Sequence, residues 1–133
     1  MSIWVAVGEN RVANILFGAT AVDGTLYMGL STYSTAPASA DTMATFTEPS
    51  TANGYARIAL TRGTWTVTGS TAAYAAQTFT CTGTAWGNVY GYFVCTASAG
   101  TACVLMGEET FSNGPYSISP TNTVVVTPNI TVV

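Results

Sequence analysis

The chain of 133 residues contains no histidine and no lysine, and its only cations are Arg11, Arg57 and Arg62. Histidine is the usual general base near neutral pH, and lysine the usual amine nucleophile and phosphate ligand. Their absence removes most ways of moving a proton or activating a serine or threonine hydroxyl, and the Gly-x-Ser-x-Gly nucleophile elbow is missing as well. Charge of either sign is scarce. Only 7% of the residues are charged, against roughly 25% in an ordinary soluble domain. Three arginines and a net charge of -3 cannot lay down the basic stripe that a phosphate backbone requires, so no nucleic-acid partner is expected. Long apolar runs are missing too. Mean hydropathy is +0.35, yet the uncharged stretch 63–107 is broken throughout by Thr, Ser and Gly. No run of about 18 apolar residues exists, and no membrane partner is expected.

Residues 1–10 have neither a basic start nor an apolar stretch ending at a small-residue cleavage site, so they do not read as an export signal. Cysteine is limited to Cys81, Cys95 and Cys103, at most one internal pair and too few for a disulfide framework. In a hairpin centred near Ala99, Cys95 and Cys103 would lie opposite each other and within reach of a bond. The alternative is that all three are small buried hydrophobes. With no histidine and no Cys-x-x-Cys, a tetrahedral zinc site cannot be completed. The six carboxylates, Glu9, Asp23, Asp41, Glu48, Glu108 and Glu109, show no calcium-loop spacing. No metal or other cofactor is expected. A carboxylate hydrolase needs two acids flanking one bond, whereas adjacent Glu108 and Glu109 on a strand point to opposite faces. No catalytic residue is assigned and no small-molecule substrate is expected.

What the chain has instead is threonine and alanine, together about a third of its residues. The branched Cβ of threonine suits a pleated strand while its hydroxyl faces water. Leu26, Met28 and Leu30 alternate with Tyr27, Gly29 and Ser31, and Tyr55, Arg57 and Ala59 alternate with Ala56, Ile58 and Leu60, the period of two of half-buried strands. Further strands are expected at 64–68, 77–82, 88–95, 103–107, 116–119 and 123–133, the last divided at Pro128. A short helix over 9–17 puts Val12, Ile15 and Leu16 on one face, with Gly18 as a left-handed cap. The Asp23-Gly24 turn leads into the first clear strand. Residues 32–52 are rich in Ser, Thr, Ala and Pro, with little periodicity, and form a loop too long for a simple connection: a contact arm or a mobile segment. No internal repeat is visible. The pattern predicts a single all-β domain over 1–133, an antiparallel β-sandwich or jelly-roll-like barrel of about eight short strands with one N-terminal helix.

Trp65, Phe79, Trp86 and Phe93 sit in or beside strand patterns and are expected in the core. Trp4, Tyr33, Phe46 and Tyr116 lie in less regular segments, where exposed rings would anchor a protein interface or a sugar platform. Arg57 shares a strand face with Tyr55 and has three readings: it points outward to a carboxylate on a neighbour, stacks on an aromatic ring, or is a solvated strand charge. Trp4, Tyr33, Phe46, Arg57 and Tyr116 are therefore the candidate interface residues.

The segment Gly54-Tyr55-Ala56-Arg57 follows Leu26-Tyr27-Met28-Gly29-Leu30 and a Pro/Ala/Thr loop, and precedes a Phe-containing strand and Trp86-Gly87-Asn88-Val89. In this order and spacing, which cover most of residues 26–106, the chain resembles a group of small tailed-bacteriophage virion proteins. The resemblance implies a β-rich virion component of fibre, knob or capsid-decoration type, without enzymatic activity, and marks Arg57 and Trp86 as structural positions. Such proteins often carry Gly-Asp before the final strand; here the sequence is Ser117-Ile118-Ser119-Pro120-Thr121.

A surface without lysine lacks the commonest edge-strand guard and solubilising charge, which points to a surface covered by neighbours. The expectation is a capsid decoration, or cement, protein on the capsid surface of the virion, a homo-oligomer such as a trimer. It would clamp subunits of the major capsid protein and stabilise the assembled lattice by mass action and multivalency. The helix, the 32–52 loop and the terminal strand would be its contact arms. The alternatives are a fibre or knob protein holding host-surface glycans, and a tail or neck structural protein.

Overall fold

The computed structural model describes residues 3–18 and 20–131. In chain order these form β1 (Ile3–Trp4), α1 (Ala6–Phe17), β2 (Thr25–Ser31), a 3-10 turn (Thr51–Asn53), β3 (Ile58–Thr61), β4 (Thr66–Thr68) and β5 (Thr71–Ala73). There follow β6 (Gln77–Thr80), β7 (Gly87–Val89), β8 (Gly91–Cys95), β9 (Leu105–Thr110), β10 (Tyr116–Ile118), β11 (Thr123–Val126) and β12 (Asn129–Thr131). The described pairings are all antiparallel. One sheet has the order β1-β9-β8-β2-β3; shorter sheets are β10-β7, β11-β6 and β12-β5-β4. The arrangement is sandwich-like, with no closed barrel.

The two faces of the five-stranded sheet bury different things. Alternation sends Met28, Leu30, Tyr92 and Val94 to one face, where they meet Leu60, Phe79, Trp86, Val89 and Val124 in the main core. The opposite face carries Phe93, Cys95 and Leu105. It is covered by the 32–52 loop, which lays Met43 and Phe46 on it beside Val5. Each such buried side chain contributes about 1.5–3 kcal/mol. The loop is therefore an arm folded onto its own sheet. Thr32 closes its base, with its N–H on Thr47 O (2.8 Å) and its hydroxyl on Thr47 Oγ1 (2.8 Å), and the Ala6 N–H donates to Ser39 O at 2.9 Å. Because both faces are covered, β8 is buried along its whole length, as strands between two layers are.

Several expected elements shift. The chain changes sheets inside the run 88–95: the Tyr90 N–H donates to Ser31 O (2.8 Å) and its carbonyl accepts from the Phe111 N–H (2.9 Å), separating β7 from β8. The helix begins at Ala6, and Gly18 is extended (φ -105, ψ -163), its N–H bonding Asn14 O, so it is no left-handed cap. Leu16, placed on the packed helix face, is 67% exposed. Trp65, expected in the core, is half-buried. The strand expected from Tyr55 starts only at Ile58. An irregularity at Val94/Cys95 pairs Cys95 with Leu105 rather than with Cys103, and all three cysteines are free thiols. Strands β1 and β5 carry no period long enough to be read. Pro128 divides the last run as expected; Val132 and Val133 lie outside the described residues.

Gly54 shows why the segment before β3 is not a strand. Its φ is +81, and a Cβ there would overlap Thr82 Oγ1, while the neighbouring Asn53 carbonyl accepts from the Thr82 N–H at 3.1 Å. Gly54→Ala is expected to cost about 1–3 kcal/mol, read as a lower urea midpoint with an unchanged slope.

Candidate functional site

Beneath the arm, one cation gathers three segments. Arg57 stands just before β3, with its side chain 2% exposed. Its Nε donates to Glu48 Oε1 at 3.0 Å and its Nη2 to Glu48 Oε2 at 2.6 Å, a two-pronged pair with the arm. Nη1 donates to Ala97 O at 2.9 Å and Nη2 to Gly100 O at 2.8 Å, which fastens the β8–β9 connection. The guanidinium lies 5.3 Å from the centre of the Phe93 ring. Burial alone would disfavour its charge, but the bonds and charge of Glu48 outweigh burial and hold it firmly protonated. The Tyr55 hydroxyl donates to Glu48 Oε1 at 2.5 Å and accepts from the Leu30 N–H at 3.0 Å. Burial, then Glu48, push its pKa far above the usual tyrosine value. Gly29 makes room for all this, since a Cβ there would strike the Phe93 ring and the Tyr55 hydroxyl.

The chemistry available here is structural. Burial pushes the Cys95 thiol up to about 12, so it is no thiolate nucleophile near neutral pH. Glu108 and Glu109 do face apart. Glu108 lies under the arm, while Glu109 Oε2 accepts from the Tyr92 hydroxyl at 2.6 Å. Among the described residues no group of three or more acidic or cysteine side chains is placed to hold a metal ion.

Of the five candidate interface residues, Tyr33, Phe46 and Arg57 gather around the Phe93 ring beneath the arm, while Trp4 and Tyr116 lie elsewhere. Phe46 and Arg57, expected at an exposed interface, are buried within the chain, because the arm that carries Phe46 folds inward and supplies the carboxylate that Arg57 needs. Of the readings of Arg57, the ring-stacking cation holds; the outward pairing with a neighbour and the solvated strand charge do not, because the side chain turns inward to Glu48 of its own chain. Tyr33 is half-buried at the base of the arm, its ring 5.8 Å from that of Phe46. Tyr116 is 41% exposed and rests on Phe111, ring centres 5.4 Å apart. Trp4 is half-buried on β1 and donates its indole N–H to Thr131 O at 3.0 Å.

Trp4 instead borders an open groove of about 290 Å³, lined also by Ile15, Leu26, Trp65, Val67 and Ile130. Among the described residues, Asp23 and Arg62 are the only charged side chains on its lining, and Asp23 is held by Arg11 at 2.7 and 3.0 Å. Trp65 packs edge-on against Tyr74 at 5.1 Å. Leu16, Phe17, Val22 and Val67 are exposed. Period two places Trp65 and Val67 on one strand face, but nothing in the sequence says that this face stays open. Such a groove can take up apolar matter; it holds no acid–base pair.

No curated protein and no solved structure matches the chain. A family model described as "Podophage GP4 fiber I protein gp80" matches residues 4–128. That span includes Arg57, Glu48, Gly29 and the whole arm, and the chain belongs to this family of tailed-phage fibre proteins.

Proposed function

We propose that the protein is a structural subunit of a podophage fibre, working by burying surface against further copies of itself and against neighbouring virion proteins, without catalysis. The family match over residues 4–128 carries this reading. It favours the fibre over the capsid-decoration role expected from surface composition, which both roles would share. The apolar groove and the exposed Leu16, Phe17 and Val67 supply surface suited to a protein partner. The groove offers few polar groups to hold sugar hydroxyls, so this reading rests on assembly and not on glycan capture.

Gold-labelled antibody against the purified chain, imaged on intact particles, tests it. Label is expected on the fibres or their attachment points. Label spread evenly over the capsid, with shells that melt earlier when the protein is left out, would overturn the fibre reading in favour of decoration.

A further inference from the structure

Several open strand edges of this fold lie beside a charge or a proline, the usual guards against pairing with another chain. β3 ends at Arg62, β10 lies between Pro115 and Pro120, and β11 and β12 meet at Pro128. β4 has no such guard. It is the outer strand of the sheet β12-β5-β4, and no charged residue or proline occurs anywhere in 63–107. Thr66, Val67 and Thr68 are all exposed, and among the described strands no other is exposed at every residue.

The register shows which way the backbone groups of β4 point. Gly69 and Ser70 alone join β4 to β5, with Gly69 at φ +60 as a two-residue hairpin turn requires, and Thr66 pairs with Ala73, Val67 with Ala72 and Thr68 with Thr71. Successive residues of a strand turn their N–H and C=O to alternate sides. On β5 the Tyr74 N–H donates to Pro128 O, on the β12 side, at 2.9 Å. Ala72 therefore faces β12 as well, and Thr71 and Ala73 face β4. Their partners Thr68 and Thr66 bond β5, which leaves the N–H and C=O of Val67 aimed outward. Trp65, one step further along the register and opposite Tyr74, with the two rings 5.1 Å apart, does the same. The side chains of Trp65 and Val67 share the face that lines the apolar groove.

Outward backbone donors and acceptors are satisfied by another strand, and the residues of the edge indicate whose. Thr64-Trp65-Thr66-Val67-Thr68 reads almost alike in both directions. A second copy laid antiparallel about Thr66 therefore sets Trp65 against Val67 on one face and Thr64 against Thr68 on the other, aromatic with β-branched and threonine with threonine, pairs that stabilise sheets. Trp65 and Val67 are the outward-facing residues, so this register is also the one in which the hydrogen bonds form. Arg62, the nearest charge in sequence, falls at the outer end of the pairing in each copy, and no like charges meet. We propose that two copies of the chain join through β4 as a two-fold strand pair, giving a six-stranded sheet with the two apolar grooves side by side on one face. The pairing deepens the assembly reading above and rests on it for the need of a self-contact.

Sedimentation velocity of the full chain, from about 1 μM to about 500 μM, tests the pairing, and a monomer–dimer equilibrium is expected within that range. Thr66→Lys and Thr66→Glu each set like charges against each other across the two-fold axis. Each is expected to weaken the dimer about tenfold or more with an unchanged urea midpoint, and an equal mixture of the two is expected to restore it. Val67→Pro, which removes an outward N–H and no bond to β5, is expected to abolish the dimer. A chain that stays monomeric at about 500 μM would overturn the pairing and leave the edge to a strand of another virion protein. A dimer indifferent to both Thr66 variants, or not restored by their mixture, would overturn it too by placing the self-contact elsewhere. The fibre reading is decided separately, by the antibody label.

Discussion

Arg57→Met is expected to cost about 3–5 kcal/mol of folding stability, a fall of roughly 10 °C or more in Tm for a domain of this size. The hydrophobic stem of methionine replaces the packing but not the fork. Glu48 loses both of its charged donors, the Ala97 and Gly100 carbonyls lose their partners, and Tyr55 is left sharing the same carboxylate. An unpartnered buried acceptor costs about 1–3 kcal/mol. Arg57→Lys is expected to recover little of the loss, because an ammonium on a flexible stem cannot bond Glu48 on two prongs and reach two loop carbonyls together. Urea unfolding of the single variants, with Glu48→Gln and the double variant, gives the coupling energy. A coupling below about 0.5 kcal/mol would reduce the pair to the level of an exposed surface contact and end the claim that it anchors the arm.

Phe93→Ala is expected to be as costly, about 3–5 kcal/mol. The ring is wholly buried and touches everything that meets under the arm. Phe46 packs against it at a tilt of 50° with ring centres 5.5 Å apart, Arg57 lies over it, and it fills the space that Gly29 leaves. Its loss opens a cavity between arm and sheet rather than inside the main core. Cleavage by chymotrypsin at Tyr33 and Phe46 should therefore quicken out of proportion to global unfolding. Val94→Ala, equally buried on the opposite face, serves as the control and should destabilise without selective cleavage of the arm. Equal cleavage in both variants would mean that Phe93 does not seat the arm.

The sequence made some of this legible and hid the rest for physical reasons. The alternation of residue types from Leu26 to Ser31 located β2, although no residue of the strand is exposed and its burial does not alternate. It said nothing of the second covering, since a strand buried on both sides such as β8 reads as continuous apolar residues whatever lies above it. The arm was legible as something other than a connection. Its destination was not, because that depends on Glu48 finding Arg57 and on two isolated apolar residues, Met43 and Phe46, finding Phe93. Those two, three apart in a stretch of Thr, Ala and Ser, were the one available signal. The Cys95 register failed on a single irregularity at Val94/Cys95, which no composition announces. The open face beside Trp65 was hidden because an aromatic residue in a strand has the same pattern whether its far side is covered or bare. The virion class was legible in the order of the Gly-Tyr-Ala-Arg and Trp-Gly blocks. Fibre and decoration were not separable from surface composition, because both need a neutral surface ready to be covered.

The sealing of Arg57 under the arm has a consequence for the water around the particle. Dissolved ions act on charges within a screening length of about 8–10 Å in ordinary saline, and they act least on a pair that water does not reach. Of three arginines, one is buried against Glu48, whose side chain is 23% exposed, and one is tied to Asp23. Simple salt therefore finds few targets on this subunit. A shape set this way is expected to change little between dilute and concentrated salt.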